Sequence, residues 1–143
     1  SGNQLVVLPR TLKGLQQLER MNLSRNQLTE FNAELDPLVS MQHLDLSHNR
    51  LEVLPDSVVM LPLLRCLKVC HNRLTNLPER TGANPSLQIL TAQHNNLKAL
   101  PKQLENAGNC HSLELRGNPE AVRDCRKLQR RMPWANLQYD EPK

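Results

Sequence analysis

The chain has 143 residues, one domain's worth, with a net charge of +4 and only one Phe, one Trp and one Tyr. So small a charge does not by itself argue for nucleic acid, and so few rings leave little for single-stranded bases to stack on. The longest apolar runs are a few residues, too short for a signal peptide or a membrane span.

The four cysteines do not read as a disulfide framework. Cys66 and Cys70 fall on one predicted strand, roughly 13 Å apart and beyond bridging reach. Cys110 and Cys125 could approach in the last turn, but buried thiols fit them better. Reduced thiols imply an intracellular protein, cytoplasmic or nuclear.

In chain order, an asparagine recurs at Asn3, Asn26, Asn49, Asn72, Asn95 and Asn118, 23 residues apart each time. A strict period of this length marks a stacked repeat. The first residues carry Leu5, Leu8-Pro9, Leu12 and Leu15, the second half of a repeat, so the chain is expected to be a fragment of a longer protein. The next unit has Leu18, Met21, Leu23, Asn26, Leu28 and Phe31, with Leu35 and Leu38 on its return. The cleanest unit runs from Met41 to Leu61, with Leu44, Leu46, Asn49, Leu51, Leu54-Pro55 and Val58 between. The third has Leu64, Leu67, Val69, Asn72, Leu74 and Leu77-Pro78, then places Thr81 and Asn84 where leucine is expected. With Gly82 and Pro85 beside them, residues 81–85 read as an irregular loop and the most mobile internal segment. The fourth has Leu87, Leu90, Ala92, Asn95, Leu97, Leu100-Pro101 and Leu104, and a fifth stops after Cys110, Leu113, Leu115 and Asn118.

Each LxL pair alternates apolar and polar, the period of a short strand. Asparagine then turns the chain, because a buried amide can both donate to and accept from the backbone of a bend. No unit buries its own leucines, so neighbours must stack into a parallel sheet with looser returns opposite. After Asn118, Ala121, Val122, Cys125, Leu128 and Met132 recur at helical spacing and Pro133 ends the run. This helix is expected to cover the open end, with Trp134 and Leu137 packed beneath. The division is 1–118 for the repeats and 119–143 for the cap and tail, in one structural domain.

The unit LxxLxLxxNxLxxLPxxLxxL resembles the leucine-rich repeat over nearly the whole chain. Its 23-residue length and Leu-Pro pair look like the intracellular Ras-group and leucine-rich-repeat/PDZ scaffolds. The ending GNPEAVRDCRKLQRRMPWANLQYD is similar to the capping motif of phosphatase-1 regulators and relatives, through Asn118-Pro119, Arg126, Met132-Pro133, Leu137 and Asp140. Cys125 stands where that motif has tyrosine. The resemblance implies an α/β solenoid, a right-handed curved superhelix whose concave parallel sheet binds another protein.

On that face, outward positions line up in columns about 4.8 Å apart. They read Arg20, His43, Cys66, Ile89, Ser112; then Asn22, Asp45, Lys68, Thr91, Glu114; then Ser24, Ser47, Cys70, Gln93, Arg116; then Arg25, His48, His71, His94, Gly117. Arg50 and Arg73 stand beyond the asparagines. Cys66 and Ile89 are the expected apolar patch on a face suited to an acidic or phosphorylated segment. The histidine column does not read as a metal site, because ligands two rungs apart lie nearly 10 Å from one another. Repulsion within it should oppose protonation. Cys70 and His71, as strand neighbours, point to opposite faces unless the bend intervenes, so the sequence does not assure their contact. Arg123, Arg126, Lys127, Arg130 and Arg131 form a second basic surface on the cap helix.

There is no phosphate-cradling glycine loop, nucleophile elbow or zinc-ligand motif. The reading is a non-enzymatic protein-interaction module with no cofactor, metal or small-molecule substrate. The alternative is the recognition or regulatory domain of a larger signalling enzyme, a phosphatase or a GTPase-containing protein.

Overall fold

A computed structural model describes residues 16–31 and 38–140. The unit built on Asn3, together with Leu35, lies outside them. Six strands of three residues form one parallel sheet in chain order: β1 Arg20–Asn22, β2 His43–Asp45, β3 Cys66–Lys68, β4 Ile89–Thr91, β5 Ser112–Glu114 and β6 Asn136–Gln138. The register runs Arg20, His43, Cys66, Ile89 and Ser112 along one row, and Asn22, Asp45, Lys68, Thr91 and Glu114 along another. These are the expected rows. The architecture is an α/β solenoid with a C-terminal helix.

The middle residue of each strand faces inward, and Leu44, Leu67, Leu90 and Leu113 are buried. A leucine taken fully out of water contributes about 2 kcal/mol, so the stacked rungs supply most of the cohesion. Asparagine then ties one rung to the next. Asn72 Nδ2 donates to the carbonyls of Val69 at 3.1 Å and of Leu46, in the preceding rung, at 3.0 Å. Its Oδ1 accepts the Leu51 N–H at 3.0 Å. Asn49, Asn95 and Asn118 repeat this arrangement.

Returns open on the Leu-Pro pairs. Leu54, Leu77 and Leu100 are buried, and each following proline leads into a short helical turn. Those turns are α1 Asp56–Val59 and the 3-10 turns Glu79–Ala83 and Leu104–Asn106. The segment read as an irregular loop is therefore a 3-10 turn as far as Ala83, with Asn84 and Pro85 beyond it, and its Thr81, Gly82 and Asn84 face inward. Thr81 and Asn84 are buried where leucine was expected. Each satisfies its polar atoms locally. Thr81 Oγ1 donates to the Pro78 carbonyl at 2.6 Å. Asn84 Nδ2 donates to the carbonyls of Val59 and Leu61, and its Oδ1 accepts from the N–H groups of Ser86 and Leu87. Gly82 is required by proximity: a Cβ there would lie 2.0 Å from the Gln103 carbonyl oxygen of the next return.

The cap comprises the 3-10 turn Pro119–Ala121, α2 Val122–Arg131 and then β6. Ala121, Cys125, Leu128 and Met132 are buried and Val122 is half-buried. Leu137 packs inward as expected, but Trp134 departs from the expectation, at 49% exposed, with Ala135 taking the inner place beside it. Strand β6 was not anticipated. It pairs Leu137 with Leu113 and puts one more rung on the sheet. Asp124 reaches back to accept the Leu100 N–H at 3.0 Å, which fixes the helix against the last return.

Candidate functional site

The outward residues of β1 to β5 form a continuous polar face, and the turns after them add a second band. Arg20, Asn22, Arg25, Arg50, Lys68, Arg73 and Arg116 are exposed, as are His71 and His94, while His43, Asp45, Thr91 and Glu114 are half-buried. Both acids already have partners on the face. Asp45 Oδ1 accepts the Ser47 N–H at 2.9 Å, and Glu114 Oε1 lies 3.9 Å from Arg116 Nε. Asn22 acts as Asp45 does, accepting from the N–H and hydroxyl of Ser24.

This capping corrects the third column. Ser24 and Ser47 are buried, Cys70 and Gln93 are half-buried, and only Arg116 is open to solvent. Cys66 is buried as well, at 8% exposure, so the expected apolar patch reduces to Ile89.

Arg20, Asn22, His43, Asp45 and Lys68 line a shallow hollow of about 260 Å³ at the β1–β3 end. Burial lowers the pKa of His43 first, and Arg20, Arg65 and Lys68 lower it further against the opposing pull of Glu19.

In the column before the asparagines, Arg25, His48, His71 and His94 all take left-handed backbone, with φ of 58°, 56°, 55° and 55°. Non-glycine residues adopt that region rarely, and a histidine tolerates it better than a branched residue. The bend swings the rings into a stack. His48 and His71 have centroids 4.3 Å apart and an interplanar angle of 9°, while His71 and His94 are at 4.5 Å and 21°. The column ends at Gly117, where φ is +76° and a Cβ would meet His94 Nδ1 at 2.5 Å. Burial holds the His71 pKa below its ordinary value, with further lowering from His48, His94 and Arg25. The repulsion expected from sequence is present, but burial is the larger cause.

The bend does intervene between Cys70 and His71 and brings their side chains together. One ligand atom from each of His48, Cys70 and His71 lies within 4.8 Å of the other two. Strand alternation does not extend past Lys68, where β3 ends.

Arg123, Arg126, Lys127, Arg130 and Arg131 are exposed on the outer side of α2, away from the sheet face. Arg131 is held by Glu105 at 2.8 Å. All four cysteines are free thiols. No helix among the described residues is long and apolar enough to cross a membrane.

A family model described as leucine rich repeat matches residues 1–51. Two solved structures extend the likeness along the chain. One is a leucine-rich repeat protein of Leptospira interrogans, 30% identical, with a TM-score of 0.65 over 87% of this chain and 38% of that one. The other is the leucine-rich repeat domain of the type III effector XopL, 26% identical, with a TM-score of 0.72 over 82% of this chain and 43% of that one. The chain is a leucine-rich repeat protein. It spans about two fifths of the length of either solved chain. No curated protein matches it. Leucine-rich repeat proteins generally act as protein-interaction modules.

Proposed function

We propose that the outward face of the sheet binds an acidic or phosphorylated segment of a protein partner, without a catalytic step of its own. The observation that carries this reading is an imbalance of charge. Arg20, Arg25, Arg50, Lys68 and Arg73 stand exposed on the β1–β3 part of the face and its turns, five cations against the carboxylate of Asp45, while Glu114 lies beside Arg116. Such a field accelerates encounter with an anionic segment and disfavours a cationic one. The basic side of α2, formed by Arg123, Arg126, Lys127, Arg130 and Arg131, is a second surface for acidic protein. We place the protein inside the cell, where its four thiols stay reduced.

A second reading makes the chain the recognition domain of a larger signalling enzyme, a phosphatase or a GTPase-containing protein. It is favoured by the description of one similar structure as a domain of a larger effector protein.

The test is affinity capture from cell extract with the wild type and with a variant carrying Arg20→Glu, Lys68→Glu and Arg73→Glu, both shown to be folded by circular dichroism. A partner that is held by the wild type, released by added salt and absent from the variant supports the sheet face. A partner held equally by both moves the interface to the returns or to α2. Flanking sequence bearing a phosphatase or GTPase motif would favour the second reading.

A further inference from the structure

We propose that His48, Cys70 and His71 form a surface site for zinc(II), made of two imidazoles and one thiolate with a fourth position open. This goes beyond the binding of a protein segment and does not depend on it. The three side chains come from two neighbouring rungs, and their candidate ligand atoms lie within 4.8 Å of one another. Zinc at about 2.0 Å from nitrogen and about 2.3 Å from sulfur needs its ligand atoms about 3.5 Å apart, so the set must close by roughly 1 Å. Side-chain rotation can supply that, since His71 is exposed and Cys70 half-buried. The backbone beneath is already fixed. His48 N–H donates to the Cys70 carbonyl at 2.9 Å, His71 N–H donates to the Gln93 carbonyl at 2.9 Å, and Asn72 Nδ2 reaches the Cys70 carbonyl at 3.3 Å. Left-handed φ values of 56° and 55° hold both histidines at the bend.

The donor set suits the ion. Imidazole and thiolate together select zinc or copper(I) over hard cations such as magnesium and calcium. Zinc binds an imidazole in its neutral form, through the in-plane lone pair of a ring nitrogen. Cys70 gives its proton to solvent as its sulfur binds the metal. The remaining thiols do not compete: burial raises Cys66, lifts Cys110 to about 11 and lifts Cys125 to about 12. Beside Cys70 in its column, Ser47 Oγ and Gln93 Oε1 are buried with no hydrogen-bond partner among the described residues. Binding has a structural consequence as well. An imidazole lone pair lies in the ring plane, so the parallel rings of His48 and His71 must tilt out of their stack to converge on one ion.

The experiment titrates the reduced chain with zinc(II) by calorimetry and with cobalt(II) by absorption, in the wild type and in Cys70→Ser, His71→Ala and His94→Ala. All variants are checked for unchanged thermal unfolding in the presence of a chelator. The expected result is one zinc per chain, a thiolate-to-cobalt charge-transfer band that Cys70→Ser abolishes, and affinity at least tenfold weaker in Cys70→Ser and His71→Ala. His94→Ala should bind as the wild type does. The proposal is overturned if the wild type takes up no zinc, if Cys70→Ser binds unchanged, or if His94→Ala loses affinity as His71→Ala does.

Discussion

On the sheet side, β1 to β5 repeat to the residue: three residues per strand, a 23-residue step and an inward residue at the centre of each. On the return side, no two described returns agree. Asp56–Val59 is a turn of α-helix, Glu79–Ala83 is five residues of 3-10 helix and Leu104–Asn106 is three. The sheet is uniform because asparagine and the main-chain ladder bind every rung to its neighbour with the same donors and acceptors. A return has only to fill a space, so a leucine, or a threonine and an asparagine with satisfied polar groups, can serve. Uniformity comes from hydrogen bonding across rungs, and variety from packing within one.

The following changes would test that division. Removing residues from Pro119 onward takes away α2 and β6 and uncovers Leu113 and Leu115, both buried. The expected outcome is aggregation or loss of cooperative unfolding, seen by light scattering and thermal denaturation. A soluble monomer with the original transition would contradict the capping role.

Next in size is Asn72→Ala, which leaves buried carbonyls and the Leu51 N–H without their side-chain partner. It should cost about 3 kcal/mol in urea denaturation. Asn84→Ala performs the same removal on the return side, and an equal loss there would show that the returns too are fixed by hydrogen bonds.

Gly82→Ala drives a methyl into the Gln103 carbonyl and should cost about 2 kcal/mol. A neutral result would mean that the returns slide past one another easily. Hydrogen exchange at Thr81 and Asn84 should accordingly be nearly as slow as in the Met41 unit.

Smallest is a dependence on pH. His71 has a folded pKa below its ordinary value of 6.5, so the unfolded chain takes up the proton first. Stability contributed by the neutral form is complete above that value and is lost as pH falls through the window beneath it. Between about pH 7.5 and about pH 5.5 the melting temperature should fall with chelator present, and in His71→Gln it should fall less. Equal drops would place the acid sensitivity elsewhere, with His43 as the first candidate.

The sheet register, the inward leucines and the cap helix were legible because each depends on local periodicity. Other features required contacts between distant residues. Asn84 stands where a leucine was expected, and nothing nearby in sequence tells that its amide reaches the Val59 carbonyl. Gly82 looks like a loop glycine until the Gln103 backbone is placed against it. Ser24 and Ser47 were read as outward because alternation was carried past the strand ends, where Asn22 and Asp45 cap them. Gly117 was the one available sign of left-handed backbone in the histidine column.

The asparagine staples also carry a mechanical consequence. Each one grips the rung before it, so tension applied along the solenoid should peel the molecule from an end, rung by rung. One detached rung, such as the 23 residues from His43 to Cys66, would release about 80 Å of slack chain. The molecule would then lengthen under load as a ratchet of nearly equal steps, its stride set by the spacing of a single amide.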